Sequence, residues 1–361
     1  MRSCTPIYLE AVKFYKEKSM CTSFALKEKD GSYVYGRTIE FGRDLEEGLI
    51  LIPRNYAYQG VGIDGVYGSG LNWNCKYAFV GTNMFGMDIL LDGMNEKGLS
   101  GGLLNFPNSA DYQKPTAAEG KNSIASFQIL VFALSNFATI DEVKAGFQKI
   151  FVNSAGLKEW NGVAKCHMTL HDAQGKSIVV EYLKGELVIT DNPIGVMTND
   201  PPIAWQLTNV GNYINLSPLE KDPLTIDGVT FTAPSSGSGL HGIPGDFLSP
   251  SRFLRAFEYS LAAQKYAADL PKVELTWRLL NMFDIPPGSV MIPPGDPYAG
   301  GVSGWELTQV SCVADSKNLD YYVRNFKSLN IKKFDLMAHD LDAKTSKSFA
   351  IGDVTTYDTI Q

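Results

Sequence analysis

Short apolar stretches separated by turn-forming residues run through most of the chain. Stretches of about 4–8 residues that are rich in β-branched, aromatic and leucine side chains and bounded by Gly, Asn or Asp are typical of strands. This pattern predicts strands at residues 20–24, 36–42, 48–52, 76–80, 86–91, 100–106, 166–171, 177–183, 186–190, 307–315 and 320–326. Stretches rich in Gly, Pro, Ser or Asn predict loops at 59–74, 217–250 and 285–304.

Helical spacing of apolar residues occurs in fewer places. It predicts helices over residues 123–137, 139–151, 205–216, 250–266 and 272–283. Thr139 suits the N-cap of the second helix, with Asp141 and Glu142 in its first turn, and Pro250 suits the first turn of the fourth. Many strands that are adjacent in sequence, together with paired helices, predict an α+β fold with layers of antiparallel sheet.

The composition is that of a globular protein. The chain has 361 residues, of which 44% are hydrophobic and 20% charged, enough for one large or two moderate domains. A formal net charge of -7 and the lack of a basic run argue against nucleic acid as the main partner, so any affinity for anions must come from local Arg or Lys. No stretch is long and apolar enough to insert in a membrane.

Residues 1–19 do not have the pattern of an ordinary secretion signal, because charged residues between Glu10 and Lys18 interrupt any apolar core. The cysteines are sparse, odd in number and unclustered, which disfavours a disulfide framework and favours a reducing compartment; they are Cys4, Cys21, Cys75, Cys166 and Cys312. We therefore expect a cytoplasmic protein, whereas a different N-terminus or signal would imply a periplasmic or secreted one.

Metal and nucleotide sites are not expected. His167 and His171 are four residues apart, but on the predicted strand they would lie about 13 Å apart, too far for one ion. His241 and His339 have no evident third ligand. The stretches 60–65 and 237–242 both match Gly-x-Gly-x-x-Gly, yet neither opens a predicted helix, as a dinucleotide site requires. We expect no cofactor.

The strongest chemical signal is Cys21, which ends up beside Arg37 if residues 20–24 and 36–42 pair as a hairpin. An ordinary thiol, with a pKa of about 8.5, is mostly protonated near neutrality and needs a base or a cation to attack a carbonyl. A free α-amine, with a pKa of roughly 7.7–8.0, is such a base. If Cys21 becomes the first residue of the chain, its own amine can activate its own thiol. The guanidinium of Arg37 would favour the thiolate and hold a substrate carboxylate or carbonyl.

Five separate blocks resemble the choloylglycine hydrolase family, the linear-amide C–N hydrolases that include bile salt hydrolases and penicillin V acylases. The resemblance extends from Met20 to about Phe326. The blocks are Met20-Cys21-Thr22, Gly36-Arg37, the Asn-Glu-x-Gly-Leu signature at 95–99 that leads to Asn105, residues 195–202, and Ser249-Pro250-Ser251-Arg252. The resemblance implies a four-layer αββα sandwich of the N-terminal-nucleophile hydrolase type, with Cys21 at the end of a central strand between two sheets. It also suggests a homo-oligomer, namely a tetramer.

The resemblance further implies the roles of six residues. Cys21 is the nucleophile, with Arg37 beside the thiol, and Asn199 and Asn105 stabilise the oxyanion. Glu40 stands where bile salt hydrolases usually have Asp, and we expect it to accept a hydrogen bond from the Cys21 amine. Arg252 matches the second arginine of the family site. A papain-like pair that uses Cys166 or Cys312 with a distant histidine remains open, although neither cysteine has the flanking signature.

We expect residues 1–20 to be an extension or pro-segment and residues 21–361 to form one catalytic domain. Either Met20 is the functional start of the chain, or the preceding residues are removed autocatalytically. Phe106 after Asn105 favours conjugated bile salts as substrates, with release of glycine or taurine. Glu40 and residues 195–205 favour instead the branch with penicillin V and acyl-homoserine-lactone acylases. A third possibility is an unprocessed, non-catalytic protein that binds an amphipathic ligand.

Overall fold

The computed structural model describes residues 20–292 and 304–360, so Cys4 and part of the predicted loop 285–304 lie outside the described residues. The strands are β1 Met20–Lys27, β2 Tyr33–Phe41, β3 Gly48–Ile52, β4 Ala57–Tyr58, β5 Trp73–Asn74, β6 Phe79–Asn83, β7 Leu90–Asn95, β8 Ser100–Asn105, β9 Ser123–Ala125, β10 Phe151–Asn153, β11 Cys166–His171, β12 Ser177–Leu183, β13 Glu186–Asp191, β14 Leu224–Ile226, β15 Val229–Phe231, β16 Val290–Met291, β17 Trp305–Asp315, β18 Asp320–Asn325, β19 Ser328–Asp335 and β20 Lys347–Phe349. The α-helices are α1 Ile129–Asn136, α2 Ile140–Phe147, α3 Ile203–Val210, α4 Ser249–Tyr266 and α5 Lys272–Leu280.

Two large antiparallel sheets organise the described part of the chain. The first has the order β1-β2-β17-β18-β19, with β16 paired to β17, and the second has the order β13-β12-β11-β8-β7-β6-β3-β20. Most consecutive strands are neighbours, because short turns can join only antiparallel strands. The sequence prediction of antiparallel sheets is therefore confirmed.

Each sheet carries helices on its outer face. Helices α4 and α5 contact the first sheet at β1, β2 and β17, whereas α1 contacts the second sheet at β7 and β8. One hydrophobic core lies between the sheets and under α4 and α5, and the other lies between the second sheet and α1 with α2. The layers follow the order αββα, as the sequence resemblance implied. None of the described helices combines the length and apolar character that a bilayer-spanning segment needs.

Strand β2 is buried along all nine residues, because the second sheet covers one face and helices cover the other. It pairs with β1 in a register that places Cys21 opposite Ile39, Ser23 opposite Arg37 and Met20 opposite Glu40. Successive side chains of a strand point to opposite faces. Cys21 and Arg37 therefore share the face toward the second sheet, whereas Glu40 points toward the helices.

Some predicted boundaries are wrong. Residues 92–95, predicted as a turn, continue strand β7, because they pair with β6 on one side and, up to Met94, with β8 on the other. The buried carboxylate of Asp92 accepts a hydrogen bond from Tyr321 of the other sheet at 2.6 Å. The predicted helix 123–137 begins as strand β9 and becomes α-helical only at Ile129. Strands β19 and β20 and the hairpin of β14 and β15 were not predicted, since much of each is exposed and lacks a buried apolar face.

The Asn-Glu-x-Gly-Leu signature has a structural place in the fold. Asn95 accepts hydrogen bonds from the backbone N–H groups of Lys97 and Leu99 and donates to the carbonyls of Leu134 and Phe137. Its side chain therefore shapes the turn between β7 and β8 and ties that turn to the end of α1. This position of Asn95 sets where β8, with Asn105 at its end, begins.

Candidate active site

Cys21 lies in the cleft between the two sheets and is 2% exposed. Its Sγ accepts a hydrogen bond from Nη2 of Arg37 at 3.1 Å. The β1–β2 register produces this contact, because Arg37 is diagonal to Cys21 on the same face of the sheet. The sequence prediction that Arg37 lies beside the thiol matches this geometry.

Arg37 is fully buried and is held by the opposite sheet. Its Nη1 donates to the carbonyls of Leu91 and Leu103, at 2.7 and 2.8 Å. Nη1 and Nη2 are both engaged and the side chain is 0% exposed, whereas Nε has no hydrogen-bond partner among the described residues. The expectation that Arg37 holds a substrate carboxylate or carbonyl stays a prediction, whereas its contact with the sulfur is present in the structure.

Asn199 reaches Cys21 because its segment runs beside β1. Ser23 and Met197 exchange backbone hydrogen bonds at 2.8 and 3.0 Å, which places Asn199 next to Cys21. The Oδ1 atom of Asn199 accepts a hydrogen bond from the Cys21 nitrogen at 2.9 Å. Its Nδ2 donates to the carbonyl of Asn105 at 2.8 Å. In this structure Asn199 therefore orients the backbone nitrogen of Cys21 and is tied to strand β8.

Arg252 lies in the first turn of α4, directly below β1. It donates to Oγ1 of Thr22 and to Oδ1 of Asn199, both at 2.8 Å, and to the carbonyl of Cys21. Its Nε donates to the carbonyl of Phe247 at 2.8 Å. The guanidinium of Arg252 thus holds both the backbone of Cys21 and the side-chain amide of Asn199. Its planar arrangement of several N–H donors suits this role.

Asn105 ends β8 and is 7% exposed. Its Nδ2 is buried, and the described residues give it no hydrogen-bond partner. Buried polar groups without a partner are rare and costly. This nitrogen is a neutral donor at the cavity that Cys21 lines, as stabilisation of an oxyanion requires.

Glu40 does not contact the Cys21 nitrogen, which donates to Asn199 instead. The Oε1 atom of Glu40 accepts a hydrogen bond from the Thr308 hydroxyl at 2.9 Å, and its Oε2 has no partner among the described residues. The physical reason is the register, because Glu40 lies opposite Met20 and points away from the Cys21 side chain. Glu40 thus faces Met20, the residue before Cys21 in this chain. The positive charge of Arg252 favours the ionised form of the Glu40 carboxyl.

Burial dominates the electrostatics of the site. It raises the pKa of the Cys21 thiol, and the positive charge of Arg37 partly offsets this increase. Burial also raises the pKa of Glu40 to about 7, against the opposing effects of Arg252 and of the Thr308 hydrogen bond. In this state, with Met20 attached, the thiol is therefore protonated at neutral pH and needs a base before it can attack.

An apolar cavity opens above the sulfur. Cys21, Arg37, Asn105, Lys165 and Cys166 contribute the polar part of its lining. The rest of the lining is apolar and comprises Ile39, Phe41, Met84, Leu91, Leu103, Leu104, Phe127, Trp160 and Ala164. Such a cavity can take an apolar acyl group and leave its carbonyl at the thiol.

The other candidate residues have structural partners. His167 contacts Glu181 at 3.1 Å and the Thr198 carbonyl at 2.9 Å, and His171 is fully buried. Within residues 20–292 and 304–360, no three His, Cys, Asp or Glu side chains cluster as a metal site requires. Cys312 contacts Thr82 at 3.1 Å in the core, away from the cavity lining.

Sequence reasoning missed three residues around the site. Thr308 binds Glu40, Ser249 accepts the backbone N–H of Asn199 at 3.0 Å, and Lys165 lines the cavity. Ser249 begins the block that contains Arg252, so its position in the sequence could have indicated its role. Thr308 and Lys165 have no such signal, because strand pairing alone brings them to the site.

Known proteins resemble this chain in sequence and in fold. The bile salt hydrolase/transferase of Clostridium perfringens is 31% identical over 333 residues, which cover 91% of this chain and 96% of that protein. The crystal structure of a variant of the conjugated bile acid hydrolase from Clostridium perfringens matches with a TM-score of 0.83 and 29% identity, covering 94% of this chain and 100% of that one.

A third relative has another activity in its name. The penicillin V acylase of Pectobacterium atrosepticum is 32% identical over 199 residues, which cover 52% of this chain and 51% of that protein. The family model for linear amide C–N hydrolases of the choloylglycine hydrolase type matches residues 21–349. Its match begins at Cys21, the residue at the centre of the site. The chain therefore belongs to the choloylglycine hydrolase family of linear amide C–N hydrolases.

Proposed function

We propose that Cys21 is the nucleophile of this hydrolase and that it acts as the first residue of the mature chain. The observation that carries the proposal is the Cys21 sulfur, which lies at an apolar cavity with the Arg37 guanidinium 3.1 Å away. The family match from residue 21 supports residues 21–361 as the catalytic unit and residues 1–20 as a removable segment.

Removal of Met20 would turn the Cys21 amide into an amine, held by Oδ1 of Asn199. The amine accepts the thiol proton, and the sulfur attacks the amide carbonyl carbon. Asn105 Nδ2 donates to the oxyanion of the tetrahedral intermediate. Collapse breaks the C–N bond, and the proton passes from the Cys21 amine to the leaving amine. Water then hydrolyses the thioester and releases the acid and the free thiol.

Glu40 becomes available in the same step. It lies opposite Met20, so removal of that residue clears the space between the carboxylate and the new terminus. Its partnerless Oε2 could then accept a hydrogen bond from the Cys21 amine. Arg252 already fixes the carbonyl of Cys21 and the amide of Asn199, which holds the terminal residue in place.

We propose conjugated bile salts as substrates, with an amphipathic amide in the cavity. The support is the apolar lining and the relative named a bile salt hydrolase/transferase, which aligns over 91% of this chain. Penicillin V is the second candidate, favoured by the 32% identity to a penicillin V acylase over 52% of the chain. Both are amides with an apolar acyl group.

Turnover and mass spectrometry test the proposal together. The purified protein should release glycine from glycocholate faster than it releases phenoxyacetate from penicillin V, and Cys21→Ala should abolish both reactions. The intact mass of the active protein should correspond to a chain that begins at Cys21. An active protein that retains residues ahead of Cys21, or an active Cys21→Ala variant, would contradict the mechanism. Exclusive release of phenoxyacetate would contradict bile salts as substrates.

We also propose that the protein forms a homo-oligomer in a reducing, cytoplasmic compartment. Among the described cysteines, all four are free thiols, which supports a reducing environment. The hairpin of β14 and β15 supports self-association, because Leu224, Ile226, Val229 and Phe231 share one face and are each more than half exposed. A two-stranded hairpin is only marginally stable in water unless another surface covers it.

A further inference from the structure

The cavity is lined by two cationic residues among those that the structure describes, Arg37 and Lys165. Arg37 uses Nη1 for two carbonyls and Nη2 for the Cys21 sulfur, and the whole side chain is buried. Its two terminal nitrogens are therefore directed at the thiol and at the opposite sheet, and its remaining donor, Nε, is buried. Because Arg37 is fully buried, an anionic group at the exposed end of the cavity would meet Lys165 rather than Arg37.

Lys165 is held next to Asn105, the proposed oxyanion donor. Strand β11 pairs with β8 so that Cys166 lies opposite Asn105, and the carbonyl of Lys165 accepts the backbone N–H of Phe106 at 2.8 Å. The Nζ of Lys165 donates to the carbonyl of Pro107 at 3.3 Å. The ammonium group thus lies near the end of the strand that presents Asn105, while the side chain remains exposed to solvent.

The charge of Lys165 has no acidic neighbour in the cavity. No Asp or Glu lines it among residues 20–292 and 304–360. Asp200, on the neighbouring segment, accepts hydrogen bonds from the backbone of Asn108 and the hydroxyl of Ser109, at 3.0 and 2.5 Å. The contact of Nζ with Pro107 is long and involves a neutral oxygen, so an arriving anion can replace it at little cost.

The lining of the cavity indicates where the acyl side and the amine side of a bound amide would lie. The apolar lining suits the acyl group, and the carbonyl carbon must lie between the Cys21 sulfur and the Asn105 amide. The amine portion then extends toward the exposed end of the cavity, where Lys165 lies. In the glycine and taurine conjugates of bile acids, the amine portion ends in a carboxylate or a sulfonate. Penicillin V likewise carries a carboxylate on this side of its amide.

We propose that Lys165 is a specificity-determining residue that binds the anionic group on the amine side of the scissile amide. The proposal rests on the hydrolase function proposed above and extends it to the class of amine that the enzyme releases. Arg37 and Asn105 act on the reacting atoms, whereas Lys165 acts on a group that does not react. Its loss should therefore weaken binding of anionic substrates more than it slows the chemical step.

The test compares matched anionic and neutral substrates. Steady-state kinetics are measured for glycocholate and for its neutral glycinamide analogue, and for penicillin V and its methyl ester. Lys165→Gln should raise KM for the two anionic substrates about tenfold, with kcat nearly unchanged and the neutral substrates unaffected. Lys165→Glu should raise KM for the anions further. In the wild type, KM for the anions should also rise with salt, because the contact is exposed to solvent.

Lys114→Gln is the control, since Lys114 is exposed and does not line the cavity. It should leave all four substrates unchanged. If Lys165→Gln leaves the ratio of anionic to neutral KM unchanged while the wild type hydrolyses the anions, Lys165 has no such role and the hydrolase function stands. If the wild-type enzyme hydrolyses none of the four amides, both proposals are overturned.

Discussion

At the residue scale, the site depends on the contacts of one buried cation, the guanidinium of Arg37. Arg37 lies 3.1 Å from the Cys21 sulfur and is held by two carbonyls of the opposite sheet. Burial raises the pKa of the thiol, and Arg37 is the main group that opposes this increase. The reactivity of the sulfur is therefore set by the neighbouring strands β1 and β2 and by two strands across the cleft, β7 and β8.

Replacement of Arg37 should make Cys21 less reactive. We expect Arg37→Gln to raise the pKa of the thiol and to slow its alkylation by iodoacetamide at pH 7 by at least about tenfold, because the thiolate loses its cation. The pH dependence of alkylation, followed by mass spectrometry, checks this. Arg43→Gln is the control, since Arg43 does not contact Cys21 and lies outside the cavity lining. Identical pH profiles for Arg37→Gln and the wild type would contradict the proposed effect of Arg37.

Glu40 should make stability depend on pH. Its pKa in the folded protein is about 7, above the ordinary 4.5, so the folded state binds more protons than the unfolded state between these values. The free energy of unfolding should therefore fall as pH rises from about 4.5 to 7, by on the order of 1–3 kcal/mol from this group. Urea unfolding at several pH values should show a flatter profile for Glu40→Gln. An equally steep decrease in that variant would assign the effect to other groups.

At the element scale, strand β8 approaches the side chain of Arg37 closely at the site. Gly102 faces the cleft, where a Cβ atom would lie 2.5 Å from Nη1 of Arg37 and 2.8 Å from the Tyr35 hydroxyl. Arg37 cannot move away easily, because Nη1 is bound to Leu91 and Leu103. The glycine at this position therefore provides the space in which the guanidinium reaches the sulfur.

We expect Gly102→Ala to displace Arg37 and to lower kcat by about tenfold or more, since small displacements of positioning groups are costly. Gly245→Ala is the matched control, because an added Cβ would meet no atom within 4 Å and the backbone there is not left-handed. Rates and thermal unfolding are measured for both variants. A Gly102→Ala enzyme with unchanged kcat and normal alkylation of Cys21 would show that the guanidinium tolerates the added methyl group.

At the scale of the whole molecule, the two sheets meet around the site, and the hairpin of β14 and β15 leaves an apolar face exposed. On that hairpin, Thr225 and Thr230 bond across the polar face at 3.0 Å, whereas the other face is apolar. The hairpin therefore has the two-sided pattern of a strand pair that packs against something on one face. A second copy of the chain is the occupant that we propose.

The double variant Ile226→Lys with Phe231→Lys should dissociate the oligomer, because two charges would be buried at the interface. Size-exclusion chromatography with light scattering should show a smaller particle than for the wild type. Val354→Lys serves as control, since Val354 is exposed in a different region. A wild-type protein that is monomeric at all concentrations, or a double variant of unchanged mass, would contradict this interface.

Much of the architecture was predictable from the chain alone. The alternation of apolar stretches and turns predicted most strands of the two large sheets at least in part, and Thr139 caps α2 as expected by accepting a hydrogen bond from the Glu142 N–H at 3.2 Å. The resemblance of the residues around Cys21, Arg37, Asn199 and Arg252 to the choloylglycine hydrolase family indicated the site residues. Such local features can be predicted from the sequence, because they depend on neighbouring residues, on turn geometry and on residue type.

The arrangement of groups within the site depended on contacts between distant segments. The register of β1 and β2 turned Glu40 away from the sulfur, and the approach of residues 196–199 to β1 placed Asn199 on the Cys21 nitrogen. Strand pairing also brought Lys165 beside Asn105. The order of residues was enough to indicate the chemical groups of the site and the layers of the fold. Which group faces which depends on the folded chain, because a strand shows opposite faces at successive residues and its partners come from elsewhere in the chain.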